Sequence, residues 1–150
     1  MLKTADIILK TKGILPDKFI YDLQSRLFPY DVCYLKSRPR LVKALAEIDE
    51  LKHQVPELWA SDIHQLVKAN EAVNMLLIAE AILRSSLYRE ESRGYHFRED
   101  YPLQDNKNWL KWVTIKLEDG QFKLAAKDIP TPYCRPSEEY SRPKGTRAVN

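Results

Sequence analysis

The feature that most limits how this chain can fold is the stretch from Asp62 to Tyr88. Asp62 can cap a helix N-terminus, and a helical pattern then runs unbroken for about 27 residues, roughly 40 Å at 1.5 Å per residue. The first half is amphipathic, with Ile63, Leu66 and Val67 expected on the core side. From Ala72 to Leu83 the helix is apolar almost all round, interrupted only by Asn74 and Glu80. A helix apolar on every side is normally enclosed by protein. In 150 residues few other elements are available to enclose it, so part of its surface is expected to face a partner or a neighbouring domain. Glu80 precedes Arg84 by one turn, the favourable acid-before-base order.

Three further helices are expected upstream. A short one over 5–12 would stop at Gly13. A second, about 17–28, starts with Asp17 as cap after Pro16, carries Ile20, Leu23 and Leu27 at helical spacing, and ends at Pro29. A third, about 39–54, begins at Ser37 with Pro39 tolerated in its first turn. Its stripe is Leu41, Leu45, Ile48 and Leu51, and Pro56 closes it. Downstream, Asp119-Gly120 is a strong two-residue turn signal for a hairpin over about 112–126. Folding there pairs Leu117 with Phe122, Ile115 with Leu124 and Val113 with Ala126 on one face. The other face sets Lys116 against Lys123, an unfavourable pair unless solvated or met by an acid. Past Ile129, Pro130, Pro132, Pro136 and Pro143 among polar residues predict an extended tail over 131–150. The chain reads as mainly α, with one domain over 1–130.

Several function classes lose support at this level. A net charge of +3 does not argue for nucleic acid without a clustered patch. Tyr95, Phe97, Tyr101, Trp109 and Trp112 do interleave with Arg93, Arg98 and Lys111, but the acids between them cancel the field. Protein-interface anchoring suits that composition better. Cys33 and Cys134 read as free thiols in a reducing cytosol, and two cysteines cannot hold a four-cysteine iron–sulfur cluster. Lys3, Asp6, Lys10 and Lys12 break any signal-peptide core, and no apolar run approaches the ~18 residues of a membrane span. A cytoplasmic placement is expected. His96 with Glu91, Glu99 and Asp100 could be a metal site or a base with its orienting acid, but the spacing matches no metal motif and a structural ion-pair cluster is favoured. His53 and His64 read as surface residues, and Ser92 lacks a nucleophile elbow.

The most informative stretch is Tyr88 to Pro102, with Asp105 and Asn108-Trp109-Leu110-Lys111 after it. Arg89, Arg93 and Arg98 can each fork onto a carboxylate, and Glu90, Glu91, Glu99 and Asp100 are at hand. Gly94 would allow a sharp exit from the long helix, and Pro102 fixes the end of the segment. Such a cluster is suited to lock a chain reversal or to dock on another surface.

Arg89, Glu91, Ser92, Arg93, Gly94, His96, Arg98, Asp100, Pro102, Asp105 and Trp109 stand in register with an Arg-x-Glu-Ser-Arg-Gly-x-His-x-Arg-x-Asp-x-Pro pattern and the stretch after it. In this the chain resembles the C-terminal domain of the succinate dehydrogenase/fumarate reductase flavoproteins, whose relatives include L-aspartate oxidase and the flavoprotein of adenylylsulfate reductase. The looser resemblance covers about Leu15 to Ile129. It implies a spectrin-repeat-like three-helix bundle with a small C-terminal β-hairpin. It also implies a larger enzyme in which FAD exchanges a hydride with a small dicarboxylate or related substrate. The expected partners are FAD-binding and capping domains, in the same polypeptide or a separate subunit. An iron–sulfur subunit is a further candidate. The four glycines, Gly13, Gly94, Gly120 and Gly145, are too scattered for a dinucleotide fingerprint, so FAD is expected in the partner and no cofactor here. No catalytic residue carries over. The expected role of Arg89, Glu91, Ser92, Arg93, Gly94, His96, Arg98, Asp100 and Trp109 is a docking clasp in a non-catalytic module. A stand-alone helical interaction module is the alternative.

Overall fold

The computed structural model describes residues 12–138. The chain is mainly helical, with a small antiparallel sheet of two strands at its C-terminal side. In order it forms α1 (Pro16–Leu27), a one-turn α2 (Tyr30–Cys33), β1 (Leu35–Lys36), α3 (Arg38–Gln54) with a 3-10 turn at Val55–Glu57, and α4 (Ile63–Tyr88). Then come β2 (Phe97–Arg98), a one-turn α5 (Asn106–Trp109), β3 (Lys111–Glu118) and β4 (Gln121–Asp128). The expected helix over 5–12 and most of the expected tail lie outside the described residues.

The three long helices pack pairwise around one core. Phe19 and Leu23 enter it from α1, Leu41, Ala44, Ile48 and Leu51 from α3, and Ala72, Leu76, Ala79 and Leu83 from α4. Leu58, after the 3-10 turn, closes one end. The small residues Ala44, Ala72 and Ala79 share this cluster with larger ones, a mix of sizes that suits close packing of the helices.

Asp62 caps α4 as expected, its carboxylate accepting from the Gln65 N–H at 2.9 Å. Asp17 does not cap α1. The cap position is Leu15 and Pro16 occupies the first turn, so the Asp17 carboxylate is free to reach α4 and accept from Lys68 Nζ at 2.8 Å. Ile63 and Val67 are not core residues: Ile63 is 79% exposed, and only Leu66 of that expected trio turns inward. Leu45, Ile20 and Leu27 pack against the core from its margin.

The hairpin keeps the expected register, with Leu117 opposite Phe122, Ile115 opposite Leu124 and Val113 opposite Ala126. Asp119 and Gly120 both take positive φ, 50° and 75°, as a type I′ turn requires. Lys116 does face Lys123, and Glu118 resolves the repulsion by reaching both amines, at 2.6 and 2.5 Å. Two elements have no local signal: α2, and the parallel pair β1–β2, which joins Leu35 to Phe97 and Lys36 to Arg98 across a long stretch of intervening chain.

Candidate functional site

The charged segment after α4 folds back on the helix it leaves. Gly94, at φ 58°, and Tyr95 make a two-residue reversal closed by Arg93 N–H to His96 O at 2.8 Å and His96 N–H to Arg93 O at 3.0 Å. The expected exit at Gly94 is therefore this later turn, because α4 has already ended at Tyr88. The reversal delivers β2 alongside β1, and Glu99 N–H bonds Lys36 O at 2.8 Å.

Arg98 is 0% exposed. Its Nη1 donates to the carbonyls of Ser86, Leu87 and Arg89 at 2.9, 3.2 and 3.2 Å, the acceptors that the C-terminus of α4 leaves open. Nε and Nη2 fork onto Asp100 at 2.7 and 2.6 Å. Asp100 also accepts from the N–H of Arg38, the first residue of α3, at 2.9 Å. Ser37, the sequence-adjacent cap position, makes no side-chain cap bond, so Asp100 supplies the missing acceptor from across the fold. The Arg98 guanidinium beside it holds the Asp100 carboxyl down at about 2. The Arg98 guanidinium also lies 5.0 Å from the centre of the Tyr101 ring.

Glu91, also 0% exposed, forms the second half of the cluster. It accepts from Arg89, from Arg93 Nε and Nη2 at 2.8 and 3.0 Å, and from the Asp105 N–H at 2.9 Å. Arg89 continues to the Trp109 carbonyl at 3.2 Å and to the Lys111 carbonyl, and its guanidinium lies 5.5 Å from the Trp109 ring centre. This fixes the start of the hairpin against the end of α4. Arg93 adds Asn106 Oδ1 at 2.9 Å. Ser92 Oγ accepts from the Arg98 N–H at 2.8 Å and donates to the Tyr101 carbonyl at 2.7 Å, so its hydroxyl serves the turn.

His96 lies half-buried with Nε2 3.4 Å from the Arg89 carbonyl. Burial pushes it down to about 4, aided by Lys36, Arg89 and Arg98, so it is neutral at pH 7. The carboxylates near it in sequence are held elsewhere: Glu91 by Arg89 and Arg93, Asp100 by Arg98, Glu99 by Arg40. His53 and His64 are exposed. Cys33 and Cys134 are free thiols, and no helix among the described residues is long and apolar enough to cross a membrane.

The structure thus brings together Arg89, Glu91, Ser92, Arg93, His96, Arg98, Asp100 and Trp109, with their polar groups spent inside the domain. The tip of the turn faces outward: Tyr95 is 97% exposed. Sequence reading missed Asn106, Arg38 and Lys36 as members of this region. Arg38 and Lys36 arrive from distant elements, and Asn106 carries no charge to draw attention to it.

Fold and site define a class: a helical domain whose longest helix ends in a buried arginine–carboxylate clasp that carries a β-hairpin. The chain belongs to the fumarate reductase flavoprotein C-terminal family, whose model matches residues 26–141. It is 35% identical over 97 residues to an uncharacterised FAD-dependent oxidoreductase of Methanocaldococcus jannaschii, covering 65% of this chain and 18% of that protein. It is 40% identical over 89 residues to a fumarate reductase (CoM/CoB) polypeptide of Methanothermobacter marburgensis, covering 57% and 16%. Adenylylsulfate reductase of Archaeoglobus fulgidus superposes with a TM-score of 0.75 at 27% identity, covering 89% of this chain and 21% of that one. The chain therefore spans about a fifth of the length of these relatives.

Proposed function

We propose that this chain is the non-catalytic C-terminal module of an FAD-dependent oxidoreductase of the succinate dehydrogenase/fumarate reductase type. It packs against FAD-binding and capping domains, in the same polypeptide or as a separate subunit, and supports the active site from outside. In this reading α1, α3 and α4 are a spectrin-repeat-like bundle, residues 1–130 are one domain, and FAD sits in the partner. An iron–sulfur subunit is a further partner, and the assembly is cytoplasmic, held to the inner face of a membrane through its partners if at all.

The observation that carries the reading is the outer face of α4. Ile78 is 58% exposed and Ile82 49%, and Leu77 lies beside them, so the family's long apolar helix keeps an uncovered apolar surface. The clasp Arg89–Asp100 shapes that surface by fixing the Tyr95 turn beside the end of α4. It acts as a docking clasp through the position it imposes, since its buried charges are already paired.

Gentle co-purification of the tagged chain from its own organism tests the reading. The expected result is a flavin absorbance spectrum eluting with a larger polypeptide. A colourless chain eluting alone rules out a separate subunit, and an upstream reading frame that encodes no flavin-binding portion then overturns the reading in favour of a stand-alone interaction module.

A further inference from the structure

An open cavity of about 300 Å³ lies between the end of α1, α2, α4 and the Arg93–His96 turn. Leu27, Val32, Ile82 and Leu83 give it apolar walls. Phe28 and Tyr95 also line it, and both are exposed. Lys36 lines it as well and is the one buried lysine among the described residues, 8% exposed.

Lys36 stands apart from the other cations of this region. Arg38 holds Glu90, Arg40 holds Glu99, Arg89 and Arg93 share Glu91, and Arg98 holds Asp100. Lys36 Nζ donates to the Cys33 carbonyl, and among the described residues no carboxylate pairs with it. An ammonium carries three donors, so at least one remains for another acceptor. Burial pushes its pKa down, as expected of a desolvated cation lacking a counter-charge. A buried cation without an anion is costly, and the cost is relieved when a carboxylate arrives. The apolar walls and exposed aromatic rim are the surroundings in which a desolvated contact becomes a binding hot spot.

We propose that this cavity is a socket for an acidic side chain carried on an apolar segment of the flavin-binding portion of the enzyme. The carboxylate pairs with Lys36 Nζ, and the flanking apolar side chains cover Phe28, Ile82 and Tyr95. The inference rests on the proposed function and names the surface through which that docking is made.

The test compares co-purification of flavin-bearing partner by the full chain, by Lys36→Met and by Tyr95→Ala, with thermal melting of each chain. The expected result is at least a tenfold loss of recovered flavin for Lys36→Met and a several-fold loss for Tyr95→Ala, with Tyr95→Ala melting as the parent does. If Lys36→Met fails to fold, Phe28→Ser takes its place, since Phe28 is exposed and its loss spares the core. Undiminished flavin recovery by the rim variants and by a folded Lys36→Met overturns the socket while leaving the proposed function standing. A parent chain that recovers no flavin partner, with no flavin-binding portion encoded upstream, overturns both; where that portion is encoded upstream, the same variants are read as flavin retained by the joined polypeptide. A parent chain that is a dimer in light scattering and becomes a monomer on Lys36→Met overturns the proposal in favour of a second copy as occupant.

Discussion

Arg98 and Asp100 form a fork that joins the C-terminal end of α4 to the N-terminal end of α3. Arg98 donates to the last carbonyls of α4, Asp100 accepts from the first N–H of α3, and the two side chains hold each other at 2.6 and 2.7 Å. Each charge also suits the helix end it meets, a cation at a C-terminus and an anion at an N-terminus. One pair of residues thereby satisfies two helix ends that neither helix satisfies by itself.

Arg98→Ala is expected to destabilise the domain by about 1–3 kcal/mol, because it leaves the Ser86, Leu87 and Arg89 carbonyls at the end of α4 without their donor. Arg98→Lys costs less, since an amine keeps the charge but cannot fork. Urea unfolding of both variants gives the order, and hydrogen exchange places the added opening in the last turn of α4. Equal stability of Arg98→Ala and the parent contradicts the capping role.

Acid sensitivity has two separable sources. The folded domain holds His96 near 4, below its ordinary 6.5, so from about 6.5 downward the unfolded chain takes up the proton first. Stability contributed there is complete above 6.5 and falls as pH drops toward 4. Asp100, held at about 2 against 3.8, contributes stability above 3.8 that is lost as pH falls toward 2. His96→Gln should flatten the pH dependence between about 6.5 and 4, and Asp100→Asn the segment below it. Unfolding midpoints from pH 7 to 2 check both, and unchanged slopes in the variants refute the assignment.

Gly13 is required by close approach of backbone. A Cβ there would stand 2.3 Å from the Glu57 carbonyl oxygen and 2.8 Å from Trp59 Cβ. Ile14 N–H bonds Glu57 O at 2.8 Å and Trp59 N–H bonds Ile14 O at 3.0 Å, so the segment cannot simply withdraw. Gly13→Ala should cost about 1–3 kcal/mol by overpacking, read as a lowered melting temperature.

Ile78→Ser and Ile82→Ser probe the outer face of α4. Both positions are exposed in the isolated domain, so each change should alter stability by only about 0.5 kcal/mol or less. Recovery of a flavin-bearing partner should fall several-fold. A variant with lowered stability and undiminished recovery would place these residues in the fold's own packing instead.

Periodicity and turn chemistry made much of the fold legible. The Asp62 cap and the stripe of α4 placed that helix, and Asp119-Gly120 placed the hairpin with its register. The error at Ile63 and Val67 has a simple cause. The buried stripe of that half of the helix runs through Leu66, Ala69 and Ala72, so small alanines mark the core side there and the larger Ile63 and Val67 fall outside it. The error at Asp17 is similar: an acid near a helix start suits both a cap and a cross-link, and Lys68 on another helix decides which.

By itself, the sequence determined what depends on neighbours within a few residues: helix starts and ends, the I′ turn, and the charge-rich motif whose spacing marks the family. The tertiary structure alone decided what each charge does. Asp100 meets Arg38 across a separation of 62 residues, the Leu35–Lys36 strand pairs with Phe97–Arg98, and Arg89 ties α4 to the hairpin. Such contacts leave no period in the sequence, because they form only once packing of α1, α3 and α4 has brought distant backbone groups together. Where the cluster excludes water, at Arg98 and Glu91, an unpaired charge is costly, and the partner within reach settles its role.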